Sequence, residues 1–265
     1  MRFKRAIIIN PPHPPGYVSN KDSMGGFGQL FPRGAPHFPP LDLPYLAAYL
    51  LREGFEIRVI EAGALDQSCA EVCDAIASEE GSGALAVIRT SLPTIDWDLE
   101  VCAEFRRRCP GLPLALCGGA VPSLLFRIQL YPAVDFAILG EPDETVTELM
   151  RGKELAKIPG LMFRETDGWR QTPARKADRD LDRLPFPRWD LFPHERYRSP
   201  SNVVDEIEHL VRRIRPIMDD SSTHFGSLLI SAPAGRNSPS QRLLSALNSM
   251  SGPSATALSH KTIIR

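Results

Sequence analysis

The sequence predicts an α/β protein: a doubly wound, five-stranded parallel sheet with helices on both faces, extended by a small β-hairpin and a linker. Three observations predict it. Between Arg5 and Met150, short apolar runs alternate with amphipathic stretches. The runs are continuously apolar, as strands covered on both faces must be. Each is bounded by Gly, Pro or a charge.

The strand candidates, in order, are Ala6–Ile9, Ile57–Ile60, Leu85–Ile88, Leu114–Leu116 and Val134–Leu139. Helical spacing lies between them. Leu43, Leu46, Ala47, Leu50 and Leu51 share a face and stop at Gly54, a C-cap glycine. Val72, Ile76 and Ala77 repeat the spacing, as do Trp97, Val101 and Phe105 ahead of Pro110. Beyond Met150 the pattern changes. Ile158–Phe163 and Trp169–Thr172 flank an Asp-Gly turn and read as a hairpin. Pro173–Pro200 is rich in proline and arginine and reads as a linker whose aromatic residues pack on a surface. Ser201–Arg213 has one apolar face, Val203, Ile207, Leu210 and Val211, and reads as a helix. From Phe225 to Arg265 no Asp or Glu occurs, and nine of those 41 residues are Ser. That composition points to a disordered tail, or to a reading frame that has left its ancestral course. The division expected is thus 1–150 for the sheet domain, 151–200 for hairpin and linker, 201–224 for a remnant of a further domain, and 225–265 for the tail.

Thirty-one basic and 32 acidic residues in 265 give a net charge of −1, which lacks the basic footprint of a nucleic-acid binder. No apolar run reaches the length of a membrane span or a signal-peptide core, so no membrane partner is expected. Five scattered cysteines argue against a disulfide framework and make the cytoplasm the expected compartment. The 25 prolines are roughly twice the average share, and eight of them fall in the 31 residues from Asn10 to Pro40, with five glycines.

In an open parallel sheet, ligands bind outside the carboxyl ends of the strands. The loop Asn10–Pro40 is too long for a plain βα connection and reads as a binding loop or lid. Its Gly25-Gly26-Phe27-Gly28 matches neither the dinucleotide fingerprint nor the P-loop. Arg89-Thr90-Ser91-Leu92-Pro93-Thr94 places three hydroxyls at a strand end; they could serve a ligand, or Thr94 could cap the next helix with Asp96 and Asp98 favouring its positive end. Gly118-Gly119 lets the backbone approach a flat or bulky group, or makes a tight turn. Gly140-Glu141-Pro142-Asp143-Glu144-Thr145 suits amides or sugar hydroxyls, with capping by Asp143 as the plainer reading.

Metal chemistry finds little support. Cys69 and Cys73 lie one helical turn apart, but Ile76 stands where C-x-x-x-C-x-x-C needs its third thiolate, so both read as buried helix cysteines. His13 could reach a metal at the sheet edge; an exposed, unliganded histidine is the alternative. No nucleophile–base arrangement is discernible, and no catalytic residue is assigned.

Taken together, the loop motifs resemble the cobalamin-binding, Rossmann-like domain of B12-dependent radical S-adenosylmethionine enzymes of the methyltransferase type. The matching stretches are Ile9-Asn10-Pro11-Pro12 with Pro14-Pro15-Gly16, Gly25-Gly26, Pro44-Tyr45-Leu46-Ala47-Ala48, Thr90–Thr94, Gly118-Gly119 and Gly140–Thr145. The likeness runs on through Ile158-Pro159-Gly160 and Asp180–Pro187 to Trp189-Asp190-Leu191, covering about residues 5–195. It implies that cobalamin is the cofactor, held by Pro12, Gly16, Gly25, Gly26, Thr90, Ser91, Thr94, Gly118, Gly119, Gly140, Glu141 and Thr145, with the proline-rich loop over the corrin. His13-x-x-Gly16 is similar to the D-x-H-x-x-G of methionine-synthase-type B12 domains, but Pro11 stands at the aspartate position. Intact relatives would also carry a 4Fe-4S cluster and S-adenosylmethionine on a partial barrel. Tyr197–Pro200, Val203–Leu210 and Met218–Asp220 resemble parts of that barrel, while the cluster loop does not occur in this sequence. The expectation is a corrinoid-binding module that is not catalytically complete. The alternatives are a B12-responsive binding or partner protein, a non-functional truncated product, and a nucleotide- or sugar-binding transferase domain.

Overall fold

In the computed structural model, residues 2–79, 81–176 and 180–197 are described, all within a compact unit ending at Tyr197. The expected helix at 201–213, the barrel remnant and the tail lie outside the described residues.

Five strands run parallel: β1 (Arg5–Asn10), β4 (Glu56–Glu61), β5 (Ala84–Arg89), β6 (Leu114–Cys117) and β7 (Phe136–Ile138). Their order across the sheet is β4-β1-β5-β6-β7, so β1 lies inside, between the second and third parallel strands. The sequence-based expectation of a five-stranded sheet needs one correction. The sheet has seven strands, because β8 (Leu161–Glu165) and β9 (Gly168–Gln171) continue it antiparallel from β7. Met162 pairs with Ala137 and Phe163 with Phe136, which gives the edge strand β7 a partner in place of open N–H and C=O groups.

Helices follow from amphipathic spacing and local capping. α2 (Asp42–Arg52) ends as predicted at Gly54, whose φ of +83° closes a Schellman turn. There the Gly54 N–H donates to Leu51 O and the Phe55 N–H to Leu50 O. α3 (Cys69–Ala77) opens on a full capping box between Ser68 and Glu71. α4 (Ile95–Arg108), α5 (Val121–Gln129) and α6 (Pro142–Met150) complete the layers.

Alternation along each strand feeds two cores. Ile7 and Ile9 point into one with Val72, Ile76, Leu99 and Phe105 of α3 and α4. Ala6 and Ile8 point into the other with Leu43, Leu46, Leu50 and Val146 of α2 and α6. The linker packs on this second side through Phe192, which is buried, and the Arg188 N–H, which donates to Pro44 O, whereas Phe186, also expected to pack, is exposed. Among the described residues, no helix is long and apolar enough to cross a membrane.

The loop after β1 holds structure the sequence did not predict. β2 (Tyr17–Asn20) and β3 (Gln29–Pro32) form a separate antiparallel pair, joined through a short helical turn, α1 (Ser23–Gly26). Its prolines stand at the hairpin's margins, Pro14 and Pro15 before it and Pro32 and Pro36 at its exit, where no ladder N–H is needed.

Candidate functional site

The chain after β1 passes to α2 on one face, whereas the chain after β5 passes directly to α4 on the other. The crevice between the carboxyl ends of β1 and β5 is therefore the topological switch point. Most of the sequence-predicted residues gather here, under the β2–β3 hairpin.

Thr90, Ser91 and Thr94 are fully buried and face the protein. Thr90 and Thr94 donate to Asp98 Oδ2 at 2.8 and 2.6 Å. With the Thr94 proton so engaged, Ser91 is left to donate to Thr94 Oγ1, at 2.8 Å. Thr94 occupies the N-cap position of α4 but makes no side-chain cap bond, and Asp98 binds a cation instead of facing the helix N-terminus alone. That cation is Lys21 from the hairpin, whose Nζ lies 2.6 Å from Asp98 Oδ2 and 2.9 Å from Thr94 Oγ1. Burial pulls the Lys21 ammonium below its ordinary pKa, and Asp98 opposes that shift. Beside it Arg89, 1% exposed, pairs with Asp22 at 2.5 Å and Asp42 at 2.7 Å.

The glycines meet one another. A Cβ on Gly119 would lie 3.2 Å from Gly26 Cα, and one on Gly28 would lie 2.6 Å from Ser91 Cβ. Gly118 has a φ of +139°, and a Cβ there would stand 2.3 Å from Arg89 Nη1. The close approach expected at Gly118-Gly119 is thus made by the hairpin backbone, Gly25-Gly26. Pro12 is buried and its carbonyl accepts from Trp97 Nε1 at 2.8 Å. Gly16 is exposed at the hairpin's entry.

His13 is half-buried, a correction to the exposed histidine considered from sequence. The Ser19 N–H donates to Nδ1 at 3.2 Å, so the proton sits on Nε2, which donates to His37 Nδ1 at 3.0 Å. Burial, with His37 and Lys21 nearby, brings the His13 pKa down to about 4. Both ring nitrogens are engaged within the chain. Cys73 is buried on α3, as its spacing implied, whereas Cys69 on the same helix is only half-buried.

Gly140, Glu141 and Thr145 lie apart, at the end of β7. Gly140 and Glu141 line a cavity of about 540 Å³ between the first turns of α2 and α6. Tyr45 and Tyr49 contribute aromatic lining, and Lys176 lines it together with Asp42, Asp143 and Glu144. Thr145 turns inward, donating to Pro159 O at 3.1 Å and accepting from Arg175 Nε at 2.9 Å. Burial, then Glu141 and Asp42, push Asp143 up to about 7.

The buried side-chain polar atoms left without a hydrogen bond fall along one edge. Among the described residues they are Asn10 Oδ1 and Glu61 Oε2 at the ends of β1 and β4, Asp42 Oδ1, Arg89 Nε at the end of β5, which is ion-paired with Asp42 Oδ2, Asp143 Oδ1 and the Tyr197 hydroxyl. The backbone of Tyr197 bridges to His37, and its hydroxyl is directed at the Glu61 carboxyl as its nearest polar partner. Burial pushes Glu61 up to about 7, although Asn10 Nδ2 donates to it at 2.7 Å. Four of these six atoms are carboxyl or carboxamide oxygens, so the edge is suited to a ligand rich in N–H and O–H donors. A corrinoid, whose macrocycle is rimmed with carboxamides and bears a nucleotide, fits that donor set. It fits the closed hairpin less well, since Gly26 and Gly28 occupy the space above β5 and β6.

Sequence reasoning passed over Lys21, Asp22, Asp42, Asp98 and Arg89 as a network. One signal was present: Arg89 ends an all-apolar run in a strand covered on both faces, and a buried guanidinium requires carboxylates.

The fold defines a class, the doubly wound α/β proteins, with its topological switch point between β1 and β5. Comparison with known proteins narrows the field. No family model matches the chain. An uncharacterised methyltransferase of Pyrococcus horikoshii is 28% identical over 177 residues, covering 63% of this chain and 37% of that protein. The anaerobic magnesium-protoporphyrin IX monomethyl ester cyclase of Synechocystis is 25% identical over 208 residues, covering 76% and 39%. Among solved structures, the radical S-adenosylmethionine methyltransferase TsrM of Kitasatospora setae, with cobalamin and a [4Fe-4S] cluster bound, superposes with a TM-score of 0.51 at 17% identity, covering 80% of this chain and 47% of that one. The cobalamin-dependent S-adenosylmethionine radical enzyme OxsB, with aqua-cobalamin and S-adenosylmethionine bound, gives 0.55 at 10%, covering 81% and 32%. At these identities the solved structures show a shared fold. The chain spans less than half the length of each of these proteins.

Proposed function

We propose that this chain is the corrinoid-binding module of a B12-dependent radical S-adenosylmethionine methyltransferase. The observation that carries the reading is the row of buried carboxyl and carboxamide oxygens along the carboxyl edge, with Asn10 Oδ1, Asp42 Oδ1 and Asp143 Oδ1 left without a hydrogen bond. The loop motifs come to the same edge, and the fold is shared with two cobalamin-containing enzymes.

Asn10, Glu61 and Asp42 accept from carboxamides at the rim of the macrocycle. Asp143, Gly140 and Glu141 take the nucleotide end in the cavity, with Tyr45 and Tyr49 beside it. Thr90, Ser91, Thr94, Gly118-Gly119 and Gly25-Gly26 line the part of the site that the hairpin covers, while Pro12 and Gly16 shape the entry to that hairpin. Thr145 holds the α6 end from inside. A bound corrinoid would supply the methyl-carrying metal centre, and no step of catalysis is assigned to the residues of this chain.

Equilibrium dialysis against hydroxocobalamin and cobinamide, which lacks the nucleotide, tests the reading. Cobalamin is expected to bind more tightly, and Asp143→Leu with Tyr49→Ala is expected to bring the two affinities together. Equal, weak retention of both by the wild-type chain would contradict it.

A further inference from the structure

The β2–β3 hairpin forms a sheet of its own and shares no ladder with the main sheet. A two-stranded hairpin is marginal alone, so its position depends on what it packs against. Here that contact includes two buried ion pairs. Lys21 reaches Asp98 at 2.6 Å, and Arg89 reaches Asp22 at 2.5 Å and Lys21 O at 3.2 Å. The Leu92 N–H donates to Phe27 O at 2.8 Å. Around the hairpin tip, bare backbone meets backbone, Gly26 on Gly119. At the two margins stand Gly16 (φ +83°) and Gly34 (φ +93°), where a Cβ would find nothing within 4 Å.

These features are those of a closure that can be released. The desolvation cost of buried ions largely offsets their attraction, and an opened pair regains water. A cover sealed by interlocking apolar side chains has no such compensation. What lies beneath is polar as well: three hydroxyls, a guanidinium and the Gly118-Gly119 turn at the switch point.

We propose that the hairpin is a latched strap over the carboxyl ends of β5 and β6, hinged at Gly16 and Gly34 and released when the Lys21–Asp98 and Asp22–Arg89 pairs part, which presents Thr90, Ser91, Thr94 and Gly118-Gly119 to an entering ligand. The identity of that ligand rests on the corrinoid reading; the motion does not. Lys21, Asp22, Arg89 and Asp98 are positioning residues.

Hydrogen exchange on the full chain without ligand tests the motion. In the wild type, the hairpin amides and the Leu92 amide are expected to exchange faster than those of Ile8 and Val87. Lys21→Met is expected to accelerate the hairpin amides by about tenfold or more while leaving Ile8 and Val87 unchanged. Gly28→Ala drives a methyl into Ser91 and is expected to do the same without touching either ion pair. Hairpin amides that exchange together with the main sheet in the wild type, or variants that accelerate all amides equally, overturn the strap. A stopped-flow arm with hydroxocobalamin separates the two proposals. Faster association in Gly28→Ala supports both, whereas strap behaviour in exchange with no corrinoid uptake keeps the strap and removes the corrinoid.

Discussion

Glu61 and Asp143 hold protons near pH 7 in the folded chain, far above their ordinary values of 4.5 and 3.8. Between those limits the folded state binds more protons than the unfolded state. Each group's contribution is therefore fully present below its ordinary value and lost as pH rises through about 7. His13 runs the other way: its contribution is present above its ordinary 6.5 and lost as pH falls through about 4. Two carboxyls outweigh one imidazole, so urea midpoints are expected to fall between pH 5 and pH 8. Glu61→Gln should flatten that fall by about 2 kcal/mol. A steeper fall in the variant would contradict the assignment. The glycines offer a second contrast. Gly118→Ala puts a methyl against Arg89 and the Thr90 carbonyl and should cost more than about 3 kcal/mol. Gly16→Ala meets open space and should cost only the backbone strain, about 1 kcal/mol. Thermal denaturation of the two variants checks both. Gly118 and Gly16 could be singled out from sequence; which neighbour each one makes room for could not, because Arg89 and Gly26 arrive from distant parts of the chain.

The helices whose ends carry local chemistry were the most readable. Gly54 was recognisable as a C-cap, and the Ser68-x-x-Glu71 capping box is an equally local signal. Ser68→Ala should cost about 1 kcal/mol, measured as a shift in the urea midpoint without a change in its slope. The β2–β3 hairpin was hidden because proline density usually means irregular chain, and because its position depends on Lys21 and Asp22 finding Asp98 and Arg89. That coupling is itself measurable. Lys21→Met alone strands the Asp98 carboxylate until the hairpin opens and should speed exchange of the hairpin amides, while Lys21→Met with Asp98→Asn, which keeps an acceptor for Thr90 and Thr94, should recover most of their protection. Additive losses in the double variant would contradict a direct pairing.

At the largest scale, the parallel α/β class was legible because continuous apolar runs separated by amphipathic stretches admit few topologies, while the strand order was not read from the sequence. Strands β8 and β9 were legible as a hairpin but not as part of the main sheet, since joining β7 is a tertiary event with no local signature. The carboxyl edge was predicted as the ligand site from strand polarity alone. Its division into a half covered by the β2–β3 hairpin at β5 and β6 and a cavity at β7 comes from packing. Both halves converge on one expectation, which an absorbance titration of the purified chain with hydroxocobalamin, followed by desalting, tests directly. Corrin absorbance that stays with the protein at a stoichiometric level is the predicted result. A folded chain that emerges colourless would contradict the account and leave the edge to some other donor-rich ligand.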